Sequence, residues 1–349
     1  MKPGQFTYRL FSLIFLASFG VVIIALLYLF SEHANHRPNG FIRLFPPHPI
    51  SARYYKNLEI SSYYFAGITN ESIYLNNQSG PAYLLVLDHD LENSHFLKFS
   101  VPKGLLFTKG TVITHVDSPD IKLDSYKNSL LLSGNLSSMT LNILDNKMDY
   151  FKCEPISSSS YIFRIENANH NQNLIAKRNY TQTRTDTSDI LDPTKQGVIK
   201  TDGFLFFDKN SNHIFYIYYY QNRFFCLDSN LNLTYAGRTI DTIGIPHIKI
   251  SKIISENKVT LGAPPLQVNI NASSNGKWLF IQSALTADNE LRDLDRGSVI
   301  DVYSVDDGKY KLSFNLPDYE KDKLKYFKAF KNELIALYDH TIFMYKLNF

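Results

Sequence analysis

Four stretches of this chain repeat one pattern, in which an apolar strand reaches a polar turn and a second strand returns. They are LLVLDHDLENSHFLKF ending at Phe99, LNILDNKMDYFKC ending at Cys153, FFCLDSNLNLTYAG ending at Gly237 and IDVYSVDDGKYKLSF ending at Phe314. Each carries an Asp near the turn, namely Asp88, Asp145, Asp228 and Asp306. A short carboxylate suits that place because it bonds nearby backbone amides and tolerates turn conformations. A hairpin preceded by another strand pair is the outer half of a four-stranded propeller blade. Strand signals fall into six groups, near residues 60–100, 110–154, 160–198, 199–237, 264–316 and 324–349. The expected fold is therefore all-β, an about six-bladed β-propeller-like domain over residues 51–349; paired β-sandwiches or an irregular β-solenoid fit the same strand spacing.

The last group, from Leu324, has room for only about three strands of ordinary length. A fourth must come from elsewhere, and Phe41–Phe45 or Tyr54–Ile60 is placed to supply it and hide an open sheet edge. Composition agrees with a folded β domain. The chain is 44% hydrophobic and 14% aromatic, and its aromatics cluster with β-branched residues in runs such as Ile214–Tyr220, the residue types that suit a pleated, half-buried surface. The run Tyr218–Tyr220 reads mostly as core.

Before this domain, the twenty residues from Phe11 to Phe30 carry no charge. That is the length a helix needs to cross the hydrocarbon core, so the expectation is a short cytoplasmic tail over 1–10, a transmembrane helix over 11–30 and a stalk over 31–50. A cleaved signal peptide has a shorter apolar region of about 7 to 15 residues ending at small residues; here Ser31, Glu32 and His33 follow, and no lipobox cysteine lies near. Pro38, Pro46, Pro47 and Pro49 favour an extended stalk. Lys2 and Arg9 before the helix nearly balance Arg37 and Arg43 after it. A short basic tail before a first apolar helix nevertheless behaves as a signal anchor, so the large domain is expected outside the cytoplasm; a cytoplasmic domain is the alternative, since first-helix charge rules have exceptions.

The net charge is only +3 and no long basic block occurs, so nucleic acid is not an expected partner. The lysine-rich stretch Lys321–Lys331 alternates with acids and aromatics and reads as a solvated edge. Cys153 and Cys226 are too few for a disulfide framework and belong to no metal spacing; a single bridge between them stays open, and their apolar runs favour buried free thiols. Asp208, Asn210 and Asn212 have the opening spacing of a calcium loop, but His213 stands where Gly is needed and no Glu closes it, so a hairpin turn is expected. The close histidine pairs, His33 with His36 and His89 with His95, have no further ligands beside them, and His340 next to Asp339 reads as another turn. No G-x-S-x-G and no Cys beside a base are present. No cofactor and no metal are implied.

Function concentrates in long loops on a rigid scaffold. Three stand out: Thr181–Gln196, Arg238–Pro265 and Thr286–Arg296. In a propeller the first two join neighbouring blades and the third joins the middle strands of one blade, so all three open on one face. The candidate binding site they make consists of Asp202, Arg238, Asp241, Asn289, Glu290 and Arg292.

The stretch TDGFLFFDKNSNHIFYIYYYQNRFFCLDSNLNLTYAGRTIDTI from Thr201 to Ile243, with WLFIQSALTADNE and SVIDVYSVDDGKYKLSF later in the chain, resembles an uncharacterised bacterial family of membrane-anchored, propeller-like proteins. The resemblance implies a bacterial envelope location, where the sequons at Asn70 and Asn135 carry little weight, and it implies no activity. The leading expectation is a non-enzymatic binding or scaffolding domain at the outer face of the cytoplasmic membrane, engaging a protein or small ligand through its loop-rich face. The alternatives are an extracytoplasmic enzyme, a hydrolase or oxidoreductase subunit with polar residues converging at the ring's centre, and a structural partner acting through its helix.

Overall fold

Runs such as HIFYIY and FFCLD lack the in-and-out alternation of a sheet with one wet face. Sheets stacked around an axis explain them, because each middle strand is covered by a neighbouring blade on both faces. The computed structural model describes residues 3–34, 39–105, 107–108, 110–169, 171–191, 197–253, 258–290 and 297–349. Strand β1 (Ile50–Asn57) is followed by blade one, β2 (Tyr63–Ile68), β3 (Ile73–Asn77), β4 (Tyr83–Leu87) and β5 (Ser94–Lys98). Blade two is β6 (Val112–Asp117), β7 (Asp120–Ser125), β8 (Leu130–Asn135) and β9 (Thr140–Asp145). Blade three is β10 (Lys152–Pro155), β11 (Ser160–Glu166), β12 (Asn173–Asn179) and β13 (Arg184–Ser188).

Blade four is β14 (Gly203–Asp208), β15 (His213–Tyr218), β16 (Phe224–Asp228) and β17 (Leu233–Gly237). A two-stranded ribbon, β18 (Ile250–Ile253) and β19 (Lys258–Leu261), interrupts the next connection. Blade five is β20 (Asn269–Ser274), β21 (Trp278–Ser283), β22 (Ser298–Ser304) and β23 (Tyr310–Leu316). Blade six takes β24 (Tyr326–Phe330), β25 (Glu333–Leu337) and β26 (Thr341–Leu347), and its outer strand is β1. The fold is thus an all-β, six-bladed propeller, closed by a strand that overlaps the second of the two expected segments at Tyr54–Asn57 and begins four residues before it; β1 pairs antiparallel with β26 from Ile50↔Leu347 to Asn57↔Thr341.

Buried side chains form clusters at each blade-to-blade junction. Blades one and two share Leu84, Val86, Leu123 and Leu132, and blades four and five share Phe215, Phe224, Leu279 and Tyr303. The junction of blades six and one holds Ile335, Leu337, Ile342 and Met344 against Ile73, Leu75, Leu85 and Leu87. Burial fades outward, and the fourth strands β5, β13 and β17 are largely exposed.

Turns between third and fourth strands carry an Asx residue in five blades. The oxygens of Asp88, Asn135, Asn179, Asp228 and Asp307 accept backbone N–H bonds from Asn93, Ser137, Thr181, Asn230 and Lys309 at 2.8–3.1 Å. One of the four aligned Asp residues is therefore corrected, and a second, Asp306, lies in its turn without making the turn bond. Asp145 ends β9 at the passage to blade three, where it accepts the Lys147 N–H and the Tyr180 hydroxyl, and at the fourth hairpin Asp307 rather than Asp306 makes the turn bond. The Asp208–Asn212 segment is the tight turn expected, and Cys153 and Cys226 are free and buried.

At the N-terminus, helix α1 spans Pro3–Ala34, so it begins within the residues expected to form a tail. Its described side chains, 11–27, are apolar apart from Ser12 and Ser18 and are exposed all round; Phe11 is 72% and Ile24 69% exposed. Among the described residues no helix is long and apolar enough to cross a membrane. At about 1.5 Å per residue, the stretch 11–27 falls a few ångström short of a ~30 Å hydrocarbon core. The expected stalk also differs, because from Asn39 onward it lies against the propeller.

Ile342 is fully buried in the closing junction, so Ile342→Ala is expected to cost about 2 to 5 kcal/mol. Phe96→Ala, on the exposed outermost strand of blade one, is expected to cost well under that. Urea unfolding of both variants checks the ranking, and equal losses would contradict closure through this junction.

Candidate functional site

Strand order puts the connections between blades, and the turns between second and third strands, on one face of the ring. The connections 238–268 and 284–297 and the one following β13 open there together, as expected from the sequence. Thr181–Gln196 is not a single loop, since β13 occupies Arg184–Ser188, and Arg238–Pro265 contains the β18–β19 ribbon.

On this face the N-terminal segment docks across blade five. Arg43, 3% exposed, makes a two-pronged pair with Asp301, Nε to Oδ1 at 2.7 Å and Nη2 to Oδ2 at 2.9 Å. Its Nη1 donates to the Leu285 carbonyl at 2.9 Å and to Glu290 Oε1. Burial opposes the Arg43 charge, and the carboxylates of Asp301 and Glu290 more than offset it, so its pKa is raised. Asn289 holds the same residue by its backbone, accepting the Arg43 N–H at 2.9 Å and donating to its carbonyl at 2.8 Å. Asp288 accepts the N–H groups of Asn39 and Gly40 at 2.6 and 3.0 Å.

The six expected site residues therefore separate. Asn289 and Glu290 come together around Arg43. Asp241 is buried and accepts the Thr239 hydroxyl at 2.5 Å and the Ile243 N–H at 2.9 Å. Burial pushes its pKa up, those two hydrogen bonds pull it down, and the Asp301 charge adds to the rise. Asp202 lies at the start of β14, paired with Arg164 of β11. Arg238 is exposed where the blade-four connection begins. Arg292 lies outside the described residues.

A second assembly occupies the ring's axis. The first strands of all six blades line a channel of about 560 Å3, from Gly203 at the loop-bearing end to Asn210 at the other. It contains residues that the linear sequence did not single out: His115, Lys122, Lys152, Glu154 and Lys328. Lys328 corrects the reading of Lys321–Lys331 as a solvated edge, since at this position the chain turns inward. The available signal was a charged residue inside an apolar first strand, as in YFKAF and KCEP.

The channel's acids are mostly engaged. Asp124 holds His115 Nε2 at 2.8 Å, with Glu154 4.0 Å from His115 Nδ1. Asp208 Oδ2 accepts the Ser211 and Ser274 hydroxyls at 2.7 and 2.8 Å, and Asp117 pairs with Lys209 at 2.8 Å. Lys122 Nζ donates to the Ser157 carbonyl at 2.5 Å and lies 4.9 Å from the Tyr161 ring centre. The side chains of Lys152 and Lys328 have no hydrogen-bond or ion-pair partner among the described residues. Burial pushes the Lys328 pKa down; Glu154 and Asp208 oppose this and Lys152 adds to it. Among the described residues no group of three His, Cys, Asp or Glu side chains could hold a metal ion.

Fold and site define the class: a six-bladed β-propeller whose central channel carries charged side chains among apolar ones, with an apolar helix ahead of it. Among solved structures the chain is similar to a member of the DUF4221 family from Bacteroides vulgatus, with a TM-score of 0.52 and 12% identity, covering 85% of this chain and 97% of that one. It is also similar to a catalytically inactive virginiamycin B lyase from Staphylococcus aureus solved with quinupristin (TM-score 0.48, 10% identity, 85% and 99% covered). A third is the WD40 domain of Neurospora crassa Pan2 (0.44, 7%, 88% and 98%). At 12% identity the likeness to the Bacteroides protein is one of fold alone. No protein-family model matches the sequence, and no curated protein matches it.

Asp301→Ala leaves the Arg43 guanidinium buried without its main partner, a loss of about 3 to 5 kcal/mol. Hydrogen exchange should quicken at the Ser313 and Asp288 amides, which bond the Leu44 and Phe41 carbonyls; unchanged exchange would refute the clasp. Lys328 gives a pH test. Its pKa lies below the ordinary 10.5, so between the two values the unfolded chain binds more protons and stability rises with pH. Lys328→Met should thus be the more stable protein at pH 7, with the gap closing towards pH 10.5. Urea midpoints across that range measure it, and a gap that widens with pH contradicts the assignment.

Proposed function

We propose that the protein is a non-enzymatic binding or scaffolding module, held by α1 at the outer face of the cytoplasmic membrane, with the propeller outside the cytoplasm. Helix α1 carries the reading. Its described apolar side chains, Phe11 and Phe15 through to Leu27, have no covered face. Burying one such side chain is worth roughly 1.5 to 3 kcal/mol, so a helix of this kind calls for an apolar surrounding on every side. The uncharged run continues in sequence to Phe30, twenty residues from Phe11, which is enough for a ~30 Å core. A short basic tail with Lys2 and Arg9 precedes it, and a large domain that follows a signal anchor is translocated regardless of its own charge.

The binding half of the reading rests on the rigid ring. Its channel is wide enough for a small ligand, and its loop-bearing face leaves Arg238 and the long connections for a protein partner. Full-length chain is expected in the membrane fraction after an alkaline carbonate wash, while a variant lacking residues 1–30 is released. In spheroplasts, added protease should reach the propeller. A product that begins near residue 31 and floats free would sink the anchor, and a domain protected in intact spheroplasts would sink the orientation.

A further inference from the structure

The channel's charges do not cancel locally. Lys152 belongs to blade three and Lys328 to blade six, so in a ring of six blades they approach from opposite sides of the axis. Three of the nearby acids already receive a donor, Asp124 from His115, Asp208 from two hydroxyls and Asp117 from Lys209, and the fourth, Glu154, lies 4.0 Å from His115 Nδ1 and acts on Lys328 only at longer range. Lys122 is committed to Ser157 and Tyr161. The remaining ammonium groups, Lys152 and Lys328, stand in a lined cavity without a partner. Two half-buried ammonium groups that share one channel without a close acid repel each other, and an anion between them removes that repulsion, so the pair marks a candidate binding site.

We propose that the central channel binds a small anion, a carboxylate or phosphate compound that also carries a hydrogen-bond donor, with its anionic group between Lys328 and Lys152. Glu154, two residues along β10 from Lys152, takes the donor. The rings of Phe204 and Tyr219, packed edge to face at 4.4 Å, bound the channel beside them and receive the ligand's uncharged part. The cavity's roughly 560 Å3 suits a metabolite-sized molecule rather than a peptide. This inference rests on the reading of the propeller as a binding module and not on its membrane anchor.

The test uses the purified full-length chain in neutral detergent, with inorganic phosphate and citrate as separate probes and sodium chloride at matched ionic strength as reference. At least one probe is expected to raise the thermal midpoint saturably, and the two arms tell phosphate from carboxylate. Lys328→Met should raise the midpoint of the free protein and abolish the probe's increment. Trace acetylation read by mass spectrometry supplies a measurement on the unaltered chain. Lys328 should react and be protected, by about tenfold at a probe concentration ten times its Kd, while exposed Lys209 is unaffected.

No midpoint shift with either probe beyond the chloride reference overturns the proposal, as does an undiminished shift in Lys328→Met. If that variant does not fold, absence of Lys328 protection in the wild-type chain overturns it. Such a failure leaves the fractionation result intact, and a chain found outside the membrane leaves this titration intact, so the two readings fall separately.

Discussion

Everything in this molecule depends on the antiparallel pairing of β1 with β26, which joins the beginning of the domain to its end. A propeller has no single core; its apolar clusters lie between blades, each shared by two neighbours. Without closure, Ile335, Leu337, Ile342 and Met344 would lose the blade-one residues that cover them, and β26 would present a bare edge to other chains. The cost of an open ring is therefore far larger than the hydrogen bonds of one strand pair. It also makes the ring rigid, which lets six first strands hold charged side chains at fixed places around the axis.

The segment ahead of β1 extends this logic. A buried Arg–carboxylate pair adds little net stability, because the desolvation of both partners offsets their attraction. Its contribution is to position. Arg43 fits only where Asp301, Glu290 and the Leu285 carbonyl converge, so it fixes which residues of the chain lie across blade five. Asn39 and Gly40 are then held by Asp288, and the Asn39 carbonyl by the Thr242 hydroxyl.

Most blade boundaries were legible because turns punctuate apolar runs at regular intervals, and the middle strands are buried on both faces; the exception is the second group, 110–154, which took in β10, the first strand of blade three. Asp145 was misplaced for a local reason. An Asp followed by Asn reads the same whether it turns a hairpin or ends a blade, and the true turn of blade two, at Asn135, has Ser137 as its partner instead. The site was harder to read. Arg43 meets Asp301 across 258 positions, a pairing no local pattern encodes, so Asn289 and Glu290 were recognised as polar loop residues without the cation they hold. Lys328 was hidden for the opposite reason: the lumen of a propeller is wet, and a first strand that faces it alternates like one on the outer surface.

The docked segment also bears on orientation. Helix α1 ends at Ala34 and the chain is fixed again at Asn39, so the five residue steps between them reach at most roughly 18 Å. Asn39 is held by Asp288, Thr286 and Thr242, all on the loop-bearing face. With α1 in lipid, that face of blade five must lie close to the bilayer surface, and the opposite face, where Lys209 and Asp117 pair, points away. A protein partner gripping the long loops would then be one that itself lies at the membrane.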